Sequence, residues 1–552
     1  MIEAERITLP VQIADFGRHK TGKDQHFKPQ KYIYVPILKQ LERILNFKDV
    51  LSEINEVKTI KPKEYSFFES GKTFKTNSFF QTFPNALQIL LYIDDASITA
   101  DKGNRSKKNK LCFVYCSLGN LKRKDRSTFA AINLVAIFRN TTVKQFGLNV
   151  LLRPLVDDLK KLEEGVVMNI LGINRIVRGT LSAVIADNLG SHQIGCFKIG
   201  FSKGFRKCRF CLAVDDDIQC YFRDNQFIAR DKIQHDQHCD GLSLESIKEH
   251  LERLYGITGT SILNELSHFH VIGGLPPDVM HDILEGILPL VISKVIMYCI
   301  KSKFFTLKIL NHIIENFNYG HREVIDKPCP IDYSQLIEGK MNQSAAQIWL
   351  LAIHLPLMVG NFIGESDQVW HCFTTLLQIS RLIFLESISD LEIVKLELLI
   401  EEFCVDYKEH FFQSYKRDDP KSKLKCRIIP KMHHLVHYTR FIKLLGPLQS
   451  FWCMRFEAKH SYFKQLQRKI KNFIDPPYTL SMRHQQWQCN QFRSAGEMLL
   501  QSPILTSPYK VRLLDAVDVH DSFAGHVASL LNLDKLDVSL REYKWITVGS
   551  KV

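Results

Sequence analysis

The order of apolar segments in the first third of the chain constrains the fold most. Three runs rich in β-branched and aromatic residues predict three successive strands, over residues 87–93, 111–118 and 129–138. Apolar residues at helical spacing predict a helix over 143–162, and a further apolar run predicts a fourth strand over 179–186. The sequence therefore predicts the order of three strands, then a helix, then a fourth strand.

A ribonuclease-H-like fold opens in this order, with an antiparallel three-strand meander, a helical crossover and a fourth strand parallel to the first. A right-handed crossover places the C-terminal ends of strands one and four side by side, where open α/β sheets bind ligands. Asp94 and Asp187 directly follow those two strands. Two carboxylates at adjacent strand ends favour divalent cations, although a single Asp after a strand is usually a cap or turn residue.

The rest of the chain divides around this sheet. We predict a polar and basic N-terminal segment (1–85), the first part of the α/β core (86–207), a large, mainly helical insertion (208–450), a closing helix region (451–495) and a small C-terminal β appendage (496–552). Lysines and aromatic residues interleave over 61–75, which is typical of a basic arm on DNA or of a solvated, weakly structured segment. The predicted fold class is α/β, with a ribonuclease-H-like mixed sheet interrupted by helices.

Cysteines and histidines of the insertion form candidate metal-binding motifs. Cys208 and Cys211 have the spacing with which two thiolates bind one Zn²⁺, although two buried thiols would give the same pattern. The candidates for the missing ligands are His281, His433, His437, Cys220, His235, His238 and Cys239. His433 and His437 are four residues apart and would share a helix face. Asp278 and His281 form a further candidate pair, three residues apart. An N-cap role for Asp278 and a core position for His281 would also explain these two residues.

The net charge of +14, with a pI of about 9.0, favours a polyanionic partner. Lys and Arg bind nucleic acid by releasing its counterions, although they could also simply keep a large surface soluble. The start, MIEAERITLPVQ, has no secretory signal, so we expect an intracellular chain with reduced thiols. The most apolar stretch, 283–300, is interrupted by polar residues and predicts a buried helix, not a membrane span.

Six segments together resemble the transposases of CACTA (En/Spm-like) elements and their relatives in the CACTA, Mirage and Chapaev superfamily. They are LYIDD from Leu91, YCSLGNLKRKDRS from Tyr115, ADN from Ala186 with GFRKCRFC from Gly204, PDVMHDILEG from Pro277, PKMH from Pro430 with HY from His437, and WCMRFE from Trp452. The resemblance implies a catalytic DDE triad that holds Mg²⁺ or Mn²⁺ (Asp94, Asp187, Glu457), a C(2)C thiol pair (Cys208, Cys211) and a D(2)H element (Asp278, His281). For Zn²⁺ at the thiol pair we predict a structural role, in which the ion ties the helical insertion to the sheet.

The resemblance also implies an activity. A transposase of this family hydrolyses phosphodiester bonds at transposon ends and transfers the freed strand to target DNA, so we expect double-stranded DNA as the partner, a nuclear location and a homo-oligomer. Basic residues such as Arg455, Lys459 and Lys464 are expected to contact phosphates. The open alternatives are a domesticated or truncated copy that binds DNA or proteins without catalysis, and an unselected remnant.

Overall fold

A computed structural model describes residues 2–9, 31–56, 58–98, 110–200, 204–320, 323–414, 427–495, 508–512 and 539–543. The described residues form a mixed α/β structure. They divide into two compact units. The first unit is Met1–Ile283 with Gln378–Gly496, and the second is Leu284–Leu377 with Glu497–Val552.

The first unit contains a six-stranded mixed sheet. Its strands are β1 (Glu5–Thr8), β2 (Lys31–Tyr34), β3 (Leu87–Ser97), β4 (Lys110–Leu118), β5 (Asn133–Arg139) and β6 (Gly179–Ile185). Their order across the sheet is β1-β2-β5-β4-β3-β6; β6 runs parallel to β3, and the other neighbours are antiparallel. The strands β3 to β6 are buried along most of their length, which explains their continuous apolar runs.

The crossover from β5 to β6 consists of two helices, so the prediction of one helix over 143–162 is wrong in detail. The helices are Asn140–Leu151 and Arg153–Glu164. Pro154 lies in the first turn of the second helix, where its missing N–H is not needed. A hairpin that the sequence did not predict, Val166–Ile170 with Ile173–Val177, precedes β6.

The described part of the N-terminal segment belongs to the fold, so the expectation of a weakly structured segment is wrong there. Its strands β1 and β2 extend the sheet beyond β5. In the interleaved stretch, Phe68 is buried and packs edge-on against Phe74 and Phe80, whereas Lys72 and Lys75 are exposed. The mixture of lysine and phenylalanine reflects an alternation of surface and core.

Helices form most of the remainder of the first unit. They are Ile37–Leu45, Lys48–Ile54, Lys72–Thr76, Ser78–Thr82, Arg123–Arg126, Asn188–Ile194, Asp215–Cys220, Lys232–Gly241, Lys248–Tyr255, Val271–Gly274, Asp390–Ser414, Pro430–Val436, Tyr438–Leu445, Met454–Ile470 and Pro476–Ala495. The strands Glu64–Tyr65 and Ile388–Ser389 form a small antiparallel pair. The helix Met454–Ile470, hereafter the closing helix, packs on β3, with Phe456 stacked on Tyr92 at a centroid distance of 4.8 Å.

The second unit is mainly helical. Its helices are Leu288–Lys301, Leu307–Asn316, Tyr333–Glu338 and Ala345–Val359. The strands Pro508–Arg512 and Ser539–Tyr543 pair antiparallel within the predicted C-terminal appendage. The π-helix Met280–Ile287 and the helix Gln368–Ile383 contain the residues at which the two units divide.

Two helical stretches are long and apolar enough to cross a membrane by length and composition alone. Met280–Lys301 has a mean hydropathy of 2.0 and Ala345–Phe362 of 1.4. In the first stretch 72% of the apolar window is buried inside the protein, which agrees with the buried helix predicted over 283–300; in the second the share is 39%. Core helices pass the same test of length and composition, so these stretches do not by themselves indicate a membrane protein.

Candidate functional site

The strands β3 and β6 bring Asp94 and Asp187 together. The two strands are parallel, and Tyr92 pairs with Ile185 two residues before each Asp. Strand β3 continues to Ser97, so Asp94 lies within the strand, whereas Asp187 is the N-cap of the helix that follows β6. The two carboxylates are close enough for the charge of Asp94 to raise the pKa of Asp187.

The surroundings of Asp187 favour a cation. Burial raises its pKa above the ordinary value, and the negative charges of Asp94 and Asp278 raise it further. The backbone N–H of Gly190 donates to its Oδ1 at 2.6 Å and acts in the opposite direction, as does His281. A bound cation would relieve the repulsion among these carboxylates.

Asp94 is held by two aromatic neighbours. The hydroxyl of Tyr92 donates to its Oδ2 at 3.1 Å, and Nε2 of His460 lies 3.4 Å from the same oxygen. Burial alone raises the pKa of Asp94, but His460, the backbone N–H of Asp95 and Tyr92 bring it below its ordinary value. Nδ1 of His460 contacts the hydroxyl of Tyr115 at 3.0 Å, which fixes the imidazole ring.

Glu457 reaches the same place through His281. It lies in the first turn of the closing helix, and its Oε1 is 3.3 Å from Nε2 of His281. Nδ1 of His281 is hydrogen-bonded to Oδ2 of Asp278, and Oδ1 of Asp278 accepts from the backbone N–H groups of Met280 and Cys453 at 3.2 and 3.1 Å. We refer to Asp94, Asp187, Asp278, His281 and Glu457 as the acidic cluster.

A π-helix positions His281. The segment Met280–Ile287 forms this wider helix directly after Asp278, which caps it through the N–H of Met280. Single π-helical turns are rare and are often found at functional sites. The N-cap interpretation of Asp278 is therefore correct, but His281 is not a core residue, because it lies between two carboxylates and keeps 19% of its side chain exposed.

Cys208, Cys211, His433 and His437 form a second cluster, which we call the Cys/His cluster. All four side chains are buried, and their ligand atoms lie within 4.8 Å of one another. Nε2 of His433 is 3.2 Å from Sγ of Cys211 and 3.2 Å from Nε2 of His437. Two thiols and two imidazoles are a donor set that can hold a tetrahedral metal ion.

Neighbouring groups orient the ligands of the Cys/His cluster. Oδ1 of Asp224 lies 2.5 Å from Nδ1 of His437, which leaves Nε2 facing the cluster. The backbone N–H of Phe210 points at Sγ of Cys208 at 3.3 Å. Burial raises the pKa of the Cys208 thiol, but the hydrogen bond with Cys211 and the two imidazoles lower it well below its ordinary value, which favours the thiolate that binds metals.

The Cys/His cluster shows which of the candidate ligands predicted from the sequence lie beside Cys208 and Cys211. His433 and His437 join the cysteine pair, as their four-residue spacing allows. His281 does not, so its candidacy as a ligand beside the cysteines is wrong. His235 and Cys239 contact each other at 3.5 Å on the helix Lys232–Gly241. Neither they nor His238 or Cys220 is part of the four-residue group among the described residues.

Sequence reasoning missed a buried network behind the acidic cluster. Asp282 is fully buried and accepts from the Asn188 side chain at 2.7 Å and from the Tyr438 hydroxyl at 3.1 Å, and Nδ1 of His434 lies 3.3 Å from it. Burial raises the pKa of Asp282, but His434 and Asn188 bring it below its ordinary value. In the sequence, Asp282 directly follows the predicted site residue His281, and His434 directly follows the candidate ligand His433. This adjacency was the sequence signal from which the network could have been predicted.

On the closing helix, the expectation that Lys459 contacts phosphates is wrong. Lys459 is fully buried and donates to the backbone carbonyls of Phe129, at 2.6 Å, and Ile132; burial lowers its pKa to about 7. Arg455 is exposed. His460, which contacts Asp94, was missed, although its three-residue spacing from Glu457 on a helix was a usable signal.

Comparison of the sequence with models of protein families and with curated proteins finds no match. The functional conclusions therefore depend on the residues and the geometry described above.

Proposed function

We propose that the protein is a DNA transposase of the DDE type, or a descendant of one, that hydrolyses and rejoins phosphodiester bonds with divalent metal ions. One observation carries the proposal: parallel strands bring Asp94 and Asp187 together, and the closing helix adds Glu457 through its contact with His281. These are three partly buried carboxylates from three distant segments: Asp94 lies in β3, Asp187 follows the neighbouring strand β6, and Glu457 contacts His281. Carboxylates of this kind are ligands for catalytic metals.

The order of elements supports a ribonuclease-H-like fold for this sheet. A meander of β3, β4 and β5, a helical crossover, and β6 parallel to β3 is the arrangement with which that fold begins. In this interpretation β1, β2 and the hairpin Val166–Val177 are additions to the fold. The acidic cluster lies at the carboxyl ends of the parallel pair, where open α/β sheets bind their ligands.

Mg²⁺ or Mn²⁺ fits the acidic cluster, because both prefer oxygen ligands and the charge repulsion at Asp187 needs compensation. Asp94, Asp187 and Glu457 would hold the ions. When bound, such ions supply an activated water or 3′-hydroxyl and stabilise the leaving oxygen. His281 orients the Glu457 carboxylate, and Asp278 in turn holds His281 by a hydrogen bond.

Zn²⁺ fits the Cys/His cluster, because the cluster combines two thiols, two imidazoles and an outer carboxylate, Asp224, with complete burial. We propose a structural role for this ion. It would tie the segment that follows β6 to the helix Pro430–Val436, which lies more than two hundred residues later in the chain.

Double-stranded DNA is the proposed partner, both as transposon ends and as target, and the positive net charge supports this choice. A nuclear location and a homo-oligomer that acts on paired ends belong to the same proposal.

Strand cleavage tests the proposal. The purified full chain, incubated with labelled DNA bearing the ends of its own element, should cleave in Mg²⁺ or Mn²⁺ and not without them. We expect Asp187→Asn to reduce cleavage about 100-fold or more, because one metal ligand is lost. The matched control, Asp216→Asn, changes an exposed carboxylate on the helix Asp215–Cys220 and should cleave normally. Folded protein that never cleaves these ends would overturn the proposal.

The hydrogen bonds of the acidic residues favour a second candidate, a DNA-binding protein derived from a transposase but without catalysis. Asp187 caps a helix, and Asp94 accepts from Tyr92, so both side chains have structural roles that require no metal. This candidate predicts salt-sensitive DNA binding that Asp187→Asn leaves unchanged, and no cleavage by the unaltered protein.

A further inference from the structure

A cavity of about 570 Å³ in the first unit is not used by either metal cluster. It lies between residues 66–68, residues 119–127, residues 386–387 and the segment 449–455, which includes the first two residues of the closing helix. Its volume is within the range of sites that bind small molecules in proteins.

The cavity has an apolar interior with flat aromatic surfaces. Phe68 and Phe451 are buried in its lining, and Phe67 and Trp452 line it while remaining partly exposed. The ring of Trp452 is supported by Phe384, at a centroid distance of 5.8 Å. A partly exposed, supported indole is a surface on which a planar base can stack.

Basic side chains surround these rings. The cations that line the cavity are Lys122, Arg123, Lys124, Arg126 and Arg455, and the carboxylate is Glu386. Lys122 forms an ion pair with Glu56, and Arg123 forms one with Glu386. The other three cations form no ion pair with any residue that the structure describes, although the charges of Asp125 and Glu69 act on Lys124 and Arg126. With five cations and one carboxylate, the lining carries a net positive charge.

Backbone carbonyls hold two of these three cations in place. Arg126, although buried, donates to the carbonyl oxygens of Gly119 at 3.2 Å and Ser450 at 2.8 Å. Burial lowers its pKa to about 10, so it stays protonated at neutral pH. Nε of Arg455 donates to the carbonyl of Ser127 at 3.2 Å. Carbonyl oxygens position a cation without neutralising it, and an anionic ligand would therefore be favoured here.

We infer that this cavity binds a single unpaired nucleotide, with its base against Trp452 and its phosphate beside Lys124 and Arg455. Aromatic rings combined with unpaired cations are the combination that binds single-stranded nucleic acid. A cavity of this volume does not admit a duplex, whereas one nucleotide fits. The inference deepens the proposed function, on whose DNA substrate it rests. Because Trp452 directly precedes the N-cap of the closing helix and Arg455 lies in the same first turn as Glu457, a strand held here is fixed relative to the acidic cluster.

The test measures DNA binding by the full chain without added divalent ions, using fluorescence anisotropy. The probes are a blunt duplex and the same duplex with an unpaired 3′ overhang. We expect the overhang to bind at least about fivefold more tightly, since stacking one base on an aromatic ring contributes roughly that factor or more. Trp452→Ala should abolish this preference and Trp452→Phe should retain it, with blunt-duplex affinity unchanged in both.

A charge variant provides a second measurement that does not depend on the tryptophan. Lys124→Gln with Arg455→Gln should weaken overhang binding about tenfold, because two phosphate contacts are lost. The control, Lys248→Gln with Arg253→Gln, removes the same charges from the exposed surface of the helix Lys248–Tyr255, which does not line this cavity, and should weaken it less than twofold. Equal binding of blunt and overhang duplexes, or a preference that survives Trp452→Ala, would overturn the inference.

Two further arms separate the sources of the nucleotide and the two proposals. Displacement of the overhang by adenosine monophosphate would assign the cavity to free nucleotides, and no displacement would assign it to a nucleotide within a strand. Because binding is measured without divalent ions, cleavage does not affect it. An intact overhang preference without any cleavage in Mg²⁺ would reject the transposase proposal alone, and normal cleavage without a preference would reject the nucleotide site alone.

Discussion

The acidic cluster and the Cys/His cluster are both assembled from segments far apart in the chain, but they differ in access. All four side chains of the Cys/His cluster are buried, whereas Glu457 and His281 keep 30% and 19% of their side chains exposed. A closed set of four ligands is typical of a structural metal, and a set with open positions leaves room for a substrate. In the proposed function, burial therefore distinguishes the structural cluster from the catalytic one, together with the difference in ligand types.

The two clusters also differ in how they should behave without metal. In the Cys/His cluster, removal of a metal would leave buried thiolate and imidazole groups facing one another without the ion that binds them. In the acidic cluster, burial and the charges of Asp94 and Asp278 raise the pKa of Asp187 and so disfavour its ionised form in the absence of a cation. Folding should therefore depend on the first cluster, and activity on the second.

The largest effect is expected from Cys208→Ser. Structural zinc sites contribute on the order of 10 kcal/mol to folding, so the first unit should lose its cooperative thermal transition and the protein its bound zinc. Circular dichroism and metal analysis of the purified chain measure both. Cys220→Ser, which alters an exposed thiol, is the control and should melt normally. Protein purified without zinc, or a normal melting curve for Cys208→Ser, would contradict the assignment.

A smaller loss of stability is expected from Asp282→Ala, which tests whether the two clusters share one support. The substitution leaves the buried His434 and Tyr438 and the half-buried Asn188 without their common acceptor. Breaking a buried pair of this kind costs about 3–5 kcal/mol, which denaturant unfolding can measure. The control is Asp240→Ala, on an exposed position of the helix Lys232–Gly241. A cost below 1 kcal/mol would mean that the network has no supporting role.

His281→Ala should affect activity and leave the fold intact. It removes the group that orients Glu457, and the loss of such an outer contact lowers activity or metal affinity about 10- to 100-fold. Cleavage assays over a range of Mn²⁺ concentrations distinguish the two, since weaker metal binding is restored at high Mn²⁺. His250→Ala, on the exposed helix Lys248–Tyr255, is the control. Unchanged cleavage would exclude His281 from the site.

The smallest effect is expected from Asp187→Asn in the acidic cluster. Its sign is opposite to that of Cys208→Ser in the Cys/His cluster, because the variant should gain stability. Asp187→Asn should stabilise the metal-free protein by about 1 kcal/mol, because it removes a repelled charge and Asn is an equally good N-cap. The raised pKa means that ionised Asp187 destabilises the fold at neutral pH, and this penalty disappears as the pH falls through the folded pKa towards the ordinary value of 3.8. The difference in melting temperature between Asp187→Asn and the unaltered protein should therefore become smaller in acid. If Asp187→Asn were less stable than the unaltered protein at pH 7, the explanation would be contradicted.

The strands β3 to β6 could be predicted because strands that are buried on both faces consist of continuous runs of apolar residues. The strands β1 and β2 could not, because each has four residues and is defined only by pairing along the sheet towards β5. The break in the crossover was visible as Pro154 but was outweighed by the apolar spacing around it. The burial of Lys459 could not be predicted, because lysine is a surface residue unless the fold supplies carbonyl acceptors.

The sequence by itself identified the candidate residues: Asp94 and Asp187 beside the first and fourth apolar runs, and Cys208 and Cys211 at ligand spacing. Periodicity and spacing depend only on residues that are close in the sequence, so they can be recognised without knowledge of the fold. Only the tertiary structure decided the partners. Cys211 meets His433 across 222 residues, and His281 meets Glu457 instead of the cysteines. Which distant segments meet depends on how apolar faces pack together, and that information is spread over the whole chain.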